Sequence, residues 1–152
     1  MIFYKSLFKF LLITLLFNNT VSSEDSMKFS TNTEAPLKVN ANSMFIDKVS
    51  LEGGLSGSVN INQGPLDLKS DQMSFIFTNN EEMPIITNLF ASQNVMISNE
   101  DMTASGNNAS YSVRKNEILL EGNVVVKNKF TTMRGEKLFI DLETGKINFL
   151  SD

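Results

Sequence analysis

Two residue types that carry much of protein chemistry are missing from this chain of 152 residues: cysteine and histidine. Without cysteine, neither disulfides nor thiol chemistry can contribute, so the fold must hold by strand pairing and packing alone. Without histidine, the commonest general base and the commonest zinc ligand are absent. These absences exclude serine triads and thiol proteases.

Carboxylates are the remaining catalytic candidates, and Asp67, Asp71, Glu100 and Asp101 lie in or near predicted turns. Turn carboxylates are ordinarily solvated or accept hydrogen bonds from local backbone amides. A calcium site would need oxygen ligands that are denser and more regularly spaced. We therefore expect no enzyme activity, no metal site and no cofactor.

Clusters of positive charge are absent as well. The 13 Lys and Arg residues are outnumbered by 17 Asp and Glu residues, which gives a net charge of −4. Nucleic-acid binding is driven by clustered Lys and Arg that neutralise phosphates. We therefore expect no nucleic-acid partner.

The first 23 residues have the composition of a secretory signal peptide. Lys5 and Lys9 precede the apolar run from Phe10 to Phe17, and small residues lead to Ser23. This run of eight residues is well short of the roughly 20 that span a bilayer. We expect cleavage after Ser23, which removes both lysines and leaves a net charge of −6. A retained membrane anchor is the alternative.

Residues 24–35 are rich in Ser, Thr and charged side chains, and we expect them to form a flexible leader. Pro36 marks the predicted start of ordered structure. The remaining residues, 36–152, have a length that suits one domain.

A short pattern occurs four times in this domain: an alternating apolar pair, a small residue, an amide or acid, and a second apolar pair in shifted phase. The central dipeptides, spaced by 29, 36 and 29 residues, are Ala41-Asn42, Ser70-Asp71, Gly106-Asn107 and Gly135-Glu136. Alternation with a period of two is typical of strands with one apolar face. A one-residue phase change would turn the apolar set to the other face of a straight strand. Each copy is therefore predicted to bend at a bulge or corner, with both halves pointing their apolar residues inward.

A second motif recurs at an offset of 65 residues, as Leu55-x-Gly57-Ser58-Val59 and Leu120-x-Gly122-Asn123-Val124. Because the two copies of the motif match position by position at this single offset, the sequence indicates a repeat architecture. Turn chemistry recurs between the repeats, at 52–54, 63–65, 79–82, 99–101, 115–117 and 143–145. The predicted fold class is all-β, with stacked and bent antiparallel strands that form an open apolar groove. Such a groove can hold acyl chains, and ordinary core packing is the alternative explanation of its apolar residues.

Residues 57–73, with the sequence GSVNINQGPLDLKSDQM, resemble the signature G-N-V-x-I-x-Q-G-x-L-x-I-x-A-D-x-V of the OstA-like family of periplasmic lipopolysaccharide transport proteins, which includes LptA. LEGNV at 120–124 and TGKI at 144–147 match its later repeats. The similarity extends from about Pro36 to Ser151. Ser58 departs from the pattern, because the family usually has Asn there.

The resemblance implies a β-jelly-roll whose groove carries the acyl chains of lipopolysaccharide across the periplasm. It also implies an inner-membrane LptC-like partner at the N-terminal edge, an outer-membrane LptD-like partner at the C-terminal edge, and head-to-tail self-association. The candidate acyl contacts are the inward positions Leu37, Val39, Val59, Ile61, Leu68, Phe75, Ile97, Tyr111, Val113 and Val126.

Other functions stay open from the sequence. The chain could be an LptC-like, membrane-anchored adaptor of the same transport system, or a periplasmic phospholipid carrier of the same fold. An enzyme acting on glycans or lipids has little support, because no candidate catalytic group stands out.

Overall fold

The computed structural model describes residues 28–29, 31–79 and 84–150, and every regular element in these ranges is a β-strand. The strands are β1 (Lys38–Asn40), β2 (Ser43–Asp47), β3 (Glu52–Gln63), β4 (Leu66–Thr78), β5 (Ile85–Ser98), β6 (Met102–Ser112), β7 (Glu117–Asn128), β8 (Thr132–Asp141) and β9 (Ile147–Leu150). The predicted all-β class is confirmed. The predicted signal peptide, 1–23, lies outside the described residues.

All pairings are antiparallel, and the strands form one open sheet in the order β1-β3-β4-β5-β6-β7-β8-β9, with β2 paired to the other part of β3. From β3 onward each strand lies next to its neighbour in sequence, as antiparallel hairpins do. Among the described strands, the sheet ends at β1 and β2 on one side and at β9 on the other.

A line of bulges crosses the middle of the sheet. Every pairing from β3 to β8 changes register there. The extra residue lies each time on β3, β5 or β7, where two successive residues take left-handed φ angles between 50° and 78°: Gly57-Ser58, Gln93-Asn94 and Gly122-Asn123. Because a bulge bends and twists its strand, this line is where the sheet folds. The small-residue dipeptides lie beside the bulges on the neighbouring strands, so the bend is confirmed. In β3 and β7 the inserted residue belongs to the second motif, and in β5 it lies at Gln93-Asn94.

Side-chain burial shows the predicted change of phase. In β4 the buried positions are 66, 68 and 70 before the bulge line and 73, 75 and 77 after it. In β5, which contains the inserted residue, positions 89, 91, 95 and 97 keep one phase throughout. Inserting a residue on alternate strands therefore keeps the apolar side of every strand facing the same interior.

The bulge line divides the sheet into two leaves. Leaf A contains β1 and residues 59–63, 66–70, 95–98, 102–105, 124–128 and 132–135; leaf B contains β2, β9 and residues 52–56, 72–78, 85–92, 108–112, 117–121 and 137–141. Buried apolar side chains from both leaves form one hydrophobic cluster. The hydroxyl of Tyr111 in leaf B donates a hydrogen bond of 2.7 Å to Gln63 in leaf A, although β4 and β5 separate their strands. Since neighbouring strands lie about 4.8 Å apart, this contact requires leaf A to fold over leaf B.

Polar side chains close several hairpins. A side-chain oxygen of Asp47, Asn99, Asn128 or Asp141 accepts hydrogen bonds from the backbone amides two and three residues later. The backbone amide of Val49 is the main reason for a lowered pKa of Asp47, and the Thr144 hydroxyl is the main reason for a lowered pKa of Asp141.

The turn predicted at 52–54 is wrong, because these residues lie inside β3. The ring of Phe75 occupies the space that a side chain at Gly53 would need, and the ring of Phe45 does the same at Gly54. The two glycines therefore leave room for one aromatic ring on each face of the strand.

The described residues before β1 dock across the ends of the leaves. Phe29 is fully buried within the hydrophobic cluster, and its N–H donates to the carbonyl oxygen of Gly145 at 2.7 Å. Lys28 forms an isolated antiparallel bridge with Lys146. We call residues 28–29 and 31–35 the N-terminal strap.

The strap is also bonded to leaf A. The amide nitrogen of Gln63 donates to the carbonyl oxygens of Thr33 at 2.9 Å and Ala35 at 3.2 Å, and the Thr31 hydroxyl donates to the Gln63 carbonyl. The flexible leader expected over 24–35 includes residues outside the described ranges and stays a prediction, while its described residues form the contacts above. The polar composition of the segment obscured one buried aromatic residue, Phe29, and backbone carbonyls that satisfy a buried amide.

Candidate functional site between the leaves

The apolar interior between leaf A and leaf B is the candidate site. Seven of the ten predicted acyl contacts are buried there: Val59, Ile61, Leu68, Phe75, Ile97, Tyr111 and Val126. Phe75 and Tyr111 come from leaf B and the other five from leaf A, and all belong to one cluster. The fold thus brings them together, while their contact with lipid stays a prediction.

The three other predicted positions lie at the margins. Leu37 and Val113 are partly buried against the hydrophobic cluster, whereas Val39 on the edge strand β1 is 38% exposed. Val113 also borders a cavity of about 450 Å³ at the end of leaf B, together with Ile85, Ile86 and Arg114.

The interior contains few polar groups among the described residues, and those groups are paired. The buried polar residues are Gln63 and Ser70. The Ser70 hydroxyl donates to the Gln72 carbonyl oxygen at 2.9 Å, at the bulge line. The buried phenol of Tyr111 is bonded to Gln63, and burial raises the pKa of Tyr111. Such an interior suits an apolar ligand, because it requires no charged group to lose water.

Charged and amide groups lie on the outer side of the bend instead. Lys69 forms an ion pair with Asp67 at 2.7 Å, and Asn62 donates to the same carboxylate at 2.6 Å. Asn94 donates to Asp71 across the bulge line at 2.6 Å. In the described ranges no group of three or more Asp or Glu residues is arranged to hold a metal ion. The sheet therefore separates an apolar inner face from a polar outer face.

Several interior residues were not among the predicted acyl contacts. The additional buried residues of β5, β7 and β8 include Leu89, Val95, Ile118, Leu120, Leu138 and Ile140. The period-two alternation includes these positions as well, and the 65-residue offset relates Leu138 to Met73. Phe29 had no such signal, because it is a single apolar residue outside the repeats.

The folded sheet and its repeats agree with a known family. Residues 38–146, more than half of the chain, match the family described as "LptA/(LptD N-terminal domain) LPS transport protein". The chain belongs to this family. The description of this family is that of a transport protein.

A solved structure shares the fold. LptH from Pseudomonas aeruginosa, described as the LptA-homologous periplasmic component of the conserved lipopolysaccharide transport device, superposes with a TM-score of 0.70. The two chains are 20% identical, and the match covers 80% of this chain and 87% of that one. No curated protein sequence matches the chain. Among the described residues, no helix is long and apolar enough to cross a membrane.

Proposed function

We propose that this member of the lipopolysaccharide transport family is a periplasmic protein that shields lipopolysaccharide acyl chains between leaf A and leaf B. The observation that carries the proposal is the continuous apolar interior shared by strands from β3 to β8, in a sheet that stays open at both edges. Each methylene group removed from water would contribute about 0.8 kcal/mol. Sugars and phosphates would remain outside, so an acidic protein can bind this anionic lipid.

The free edges support a bridging role. Met44, Phe45 and Ile46 of β2 are 50 to 64% exposed, and no strand of the described residues pairs with the outer edge of β9 at the opposite end of the sheet. Unpaired edge strands can pair with a strand of another protein. The N-terminal edge would bind an inner-membrane LptC-like partner, and the C-terminal edge would bind an LptD-like partner or another copy, head to tail. The interiors would then join into one path between the membranes.

Site-specific photocrosslinking tests the interior as the lipid site. A photoreactive residue at Leu68, Ile97 or Val126 should crosslink to lipopolysaccharide, because these side chains face the interior. The adjacent positions Lys69, Met96 and Lys127 point outward on the same strands and serve as matched controls. Equal crosslinking at inner and outer positions would contradict the proposal.

Two measurements distinguish the other functions. Mass spectrometry of lipid copurified from the periplasm should recover lipopolysaccharide; recovery of diacyl phospholipids alone would support a phospholipid carrier of the same fold. N-terminal sequencing of the exported protein should begin at Glu24. An intact Met1 would support a membrane-anchored, LptC-like adaptor.

A further inference from the structure

The ends of the two leaves are joined by the N-terminal strap. The bulge line connects the leaves through the backbone of every long strand, whereas the opposite ends are separate hairpins. The strap is bonded to both: Gln63 holds it at the end of leaf A, and Gly145 holds it at the end of leaf B. The leaves can therefore separate most readily where the strap lies.

The strap packs against one glycine with a left-handed φ at the end of each leaf, Gly64 in leaf A and Gly145 in leaf B. A Cβ atom at Gly64 would lie 2.9 Å from the Cβ of Asn32, and one at Gly145 would lie 3.0 Å from the carbonyl oxygen of Phe29. The φ angles of the two glycines are 58° and 73°. The strap thus rests on two surfaces that a side chain would block, which indicates a specific docked position.

Phe29 occupies apolar space between the leaves. Its side chain is fully buried in the same cluster as the predicted acyl contacts. By contrast, the neighbouring strap residues Asn32 and Glu34 are exposed. The aromatic ring therefore fills interior volume of the kind that an acyl chain would use.

We propose that the strap is a displaceable clasp over the lipid site, and that an acyl chain and the Phe29 ring compete for the same interior space. This inference rests on the proposed lipid-binding function. With the strap docked, Phe29 and the Gln63 bonds hold the leaf ends together; with the strap released, the leaf ends separate and the interior admits the ligand. The apparent affinity for lipid then equals the intrinsic affinity reduced by the fraction of molecules whose strap is released.

A reversible disulfide between strap and leaf B tests the clasp. Lys28 and Lys146 are an antiparallel pair without mutual hydrogen bonds, since the N–H of Phe29 bonds to Gly145 beside them. Such pairs have Cα atoms about 4.5 Å apart, which suits a disulfide. The chain has no cysteine of its own, so the variant K28C/K146C forms a single defined bond. The probe is fluorescently labelled, core-truncated lipopolysaccharide, added to the purified full chain.

The oxidised variant should bind this probe at least ten-fold more weakly than the same protein after reduction, and the reduced form should match the wild type. The matched control is K127C/T132C, a pair of the same type in the β7–β8 hairpin, away from the strap. Its oxidised form should bind as the wild type does. Equal binding by oxidised and reduced K28C/K146C would overturn the clasp while leaving the lipid site intact.

Removing the ring is the complementary test. The variant F29A should bind the probe about ten-fold more tightly, because burial of a Phe side chain opposes ligand access in the wild type. Unchanged or weaker binding by folded F29A would overturn the competition. No binding by the wild type would overturn the proposed function and this inference with it. The disulfide comparison remains decisive if F29A is poorly stable, since it compares two redox forms of one protein.

Discussion

At the scale of single residues, the Tyr111–Gln63 pair is a hydrogen bond that connects the leaves directly. Tyr111 donates to one end of the Gln63 side chain, and the other end of Gln63 donates to the strap carbonyls. One buried glutamine therefore joins leaf B, leaf A and the strap. Its hydrogen bonds are satisfied only when all three are assembled.

Replacing Tyr111 with Phe should lower the free energy of unfolding by about 1–3 kcal/mol, because the buried Gln63 oxygen loses its donor. Burial raises the pKa of Tyr111 above 10.0. The unfolded chain therefore releases this proton first, and the associated stability, present below pH 10, is lost as pH rises through the folded pKa. Urea unfolding of Y111F between pH 8 and pH 11 should show a shallower alkaline decline than the wild type.

The control for this variant is S112A, on the neighbouring residue, whose side chain is not buried in the cluster. It should change stability by less than about 0.5 kcal/mol. A Y111F protein as stable as S112A would contradict the role given to the Tyr111 hydroxyl.

At the scale of strands, the fold depends on repeating one bulge. Ser58, Asn94 and Asn123 are the second left-handed residues of the bulges in β3, β5 and β7. Asparagine adopts this conformation more readily than most residues, since its short side chain can bond to the local backbone. Ser58 is thus the member of the set least suited to its backbone.

The variant S58N should raise the free energy of unfolding by about 0.5 kcal/mol through this conformational preference. The matched control is S56N, two residues earlier on the exposed side of β3, which lacks a left-handed φ. Thermal unfolding of both variants gives the comparison. A gain in S56N equal to that in S58N, or a loss in S58N, would show that the backbone conformation is not responsible.

At the scale of the whole molecule, the sheet is incomplete at both edges. Met44 and Ile46 lie on one side of the edge strand β2, with exposed fractions of 61% and 50%. Natural proteins often place lysine on edge strands that must not pair. An exposed apolar edge is consistent with the proposed head-to-tail assembly.

The variant M44K/I46K should therefore weaken self-association at least ten-fold, measured by sedimentation velocity over a range of protein concentrations. Its unfolding should change little, since both side chains are exposed. The control V49K adds charge at a residue that is 94% exposed in the turn before β3. If V49K weakened association equally, general charge repulsion would explain the effect and the edge would not.

Much of the fold and of the candidate site could be predicted from the sequence, because the signals are local. Alternation reports which side chains share a face, and its shift at Ser70-Asp71 and Gly106-Asn107 reports a bend within a few residues. The same pattern placed Leu68, Ile97 and Val126 in the interior. The period and phase of the apolar residues can be read from the sequence because each strand must bury one face.

Only the tertiary structure decided which strands carry the inserted residue, how far leaf A turns over leaf B, and where the N-terminal strap docks. The hydrogen bond between Tyr111 and Gln63 forms only because several neighbouring strands bend in the same direction. The hydrogen bond between Phe29 and Gly145 joins residues that are far apart in the chain. Contacts of this kind do not recur at a fixed spacing along the chain, so they produce no local sequence pattern. They follow from leaf A folding over leaf B, because only the folded sheet brings these distant residues into contact.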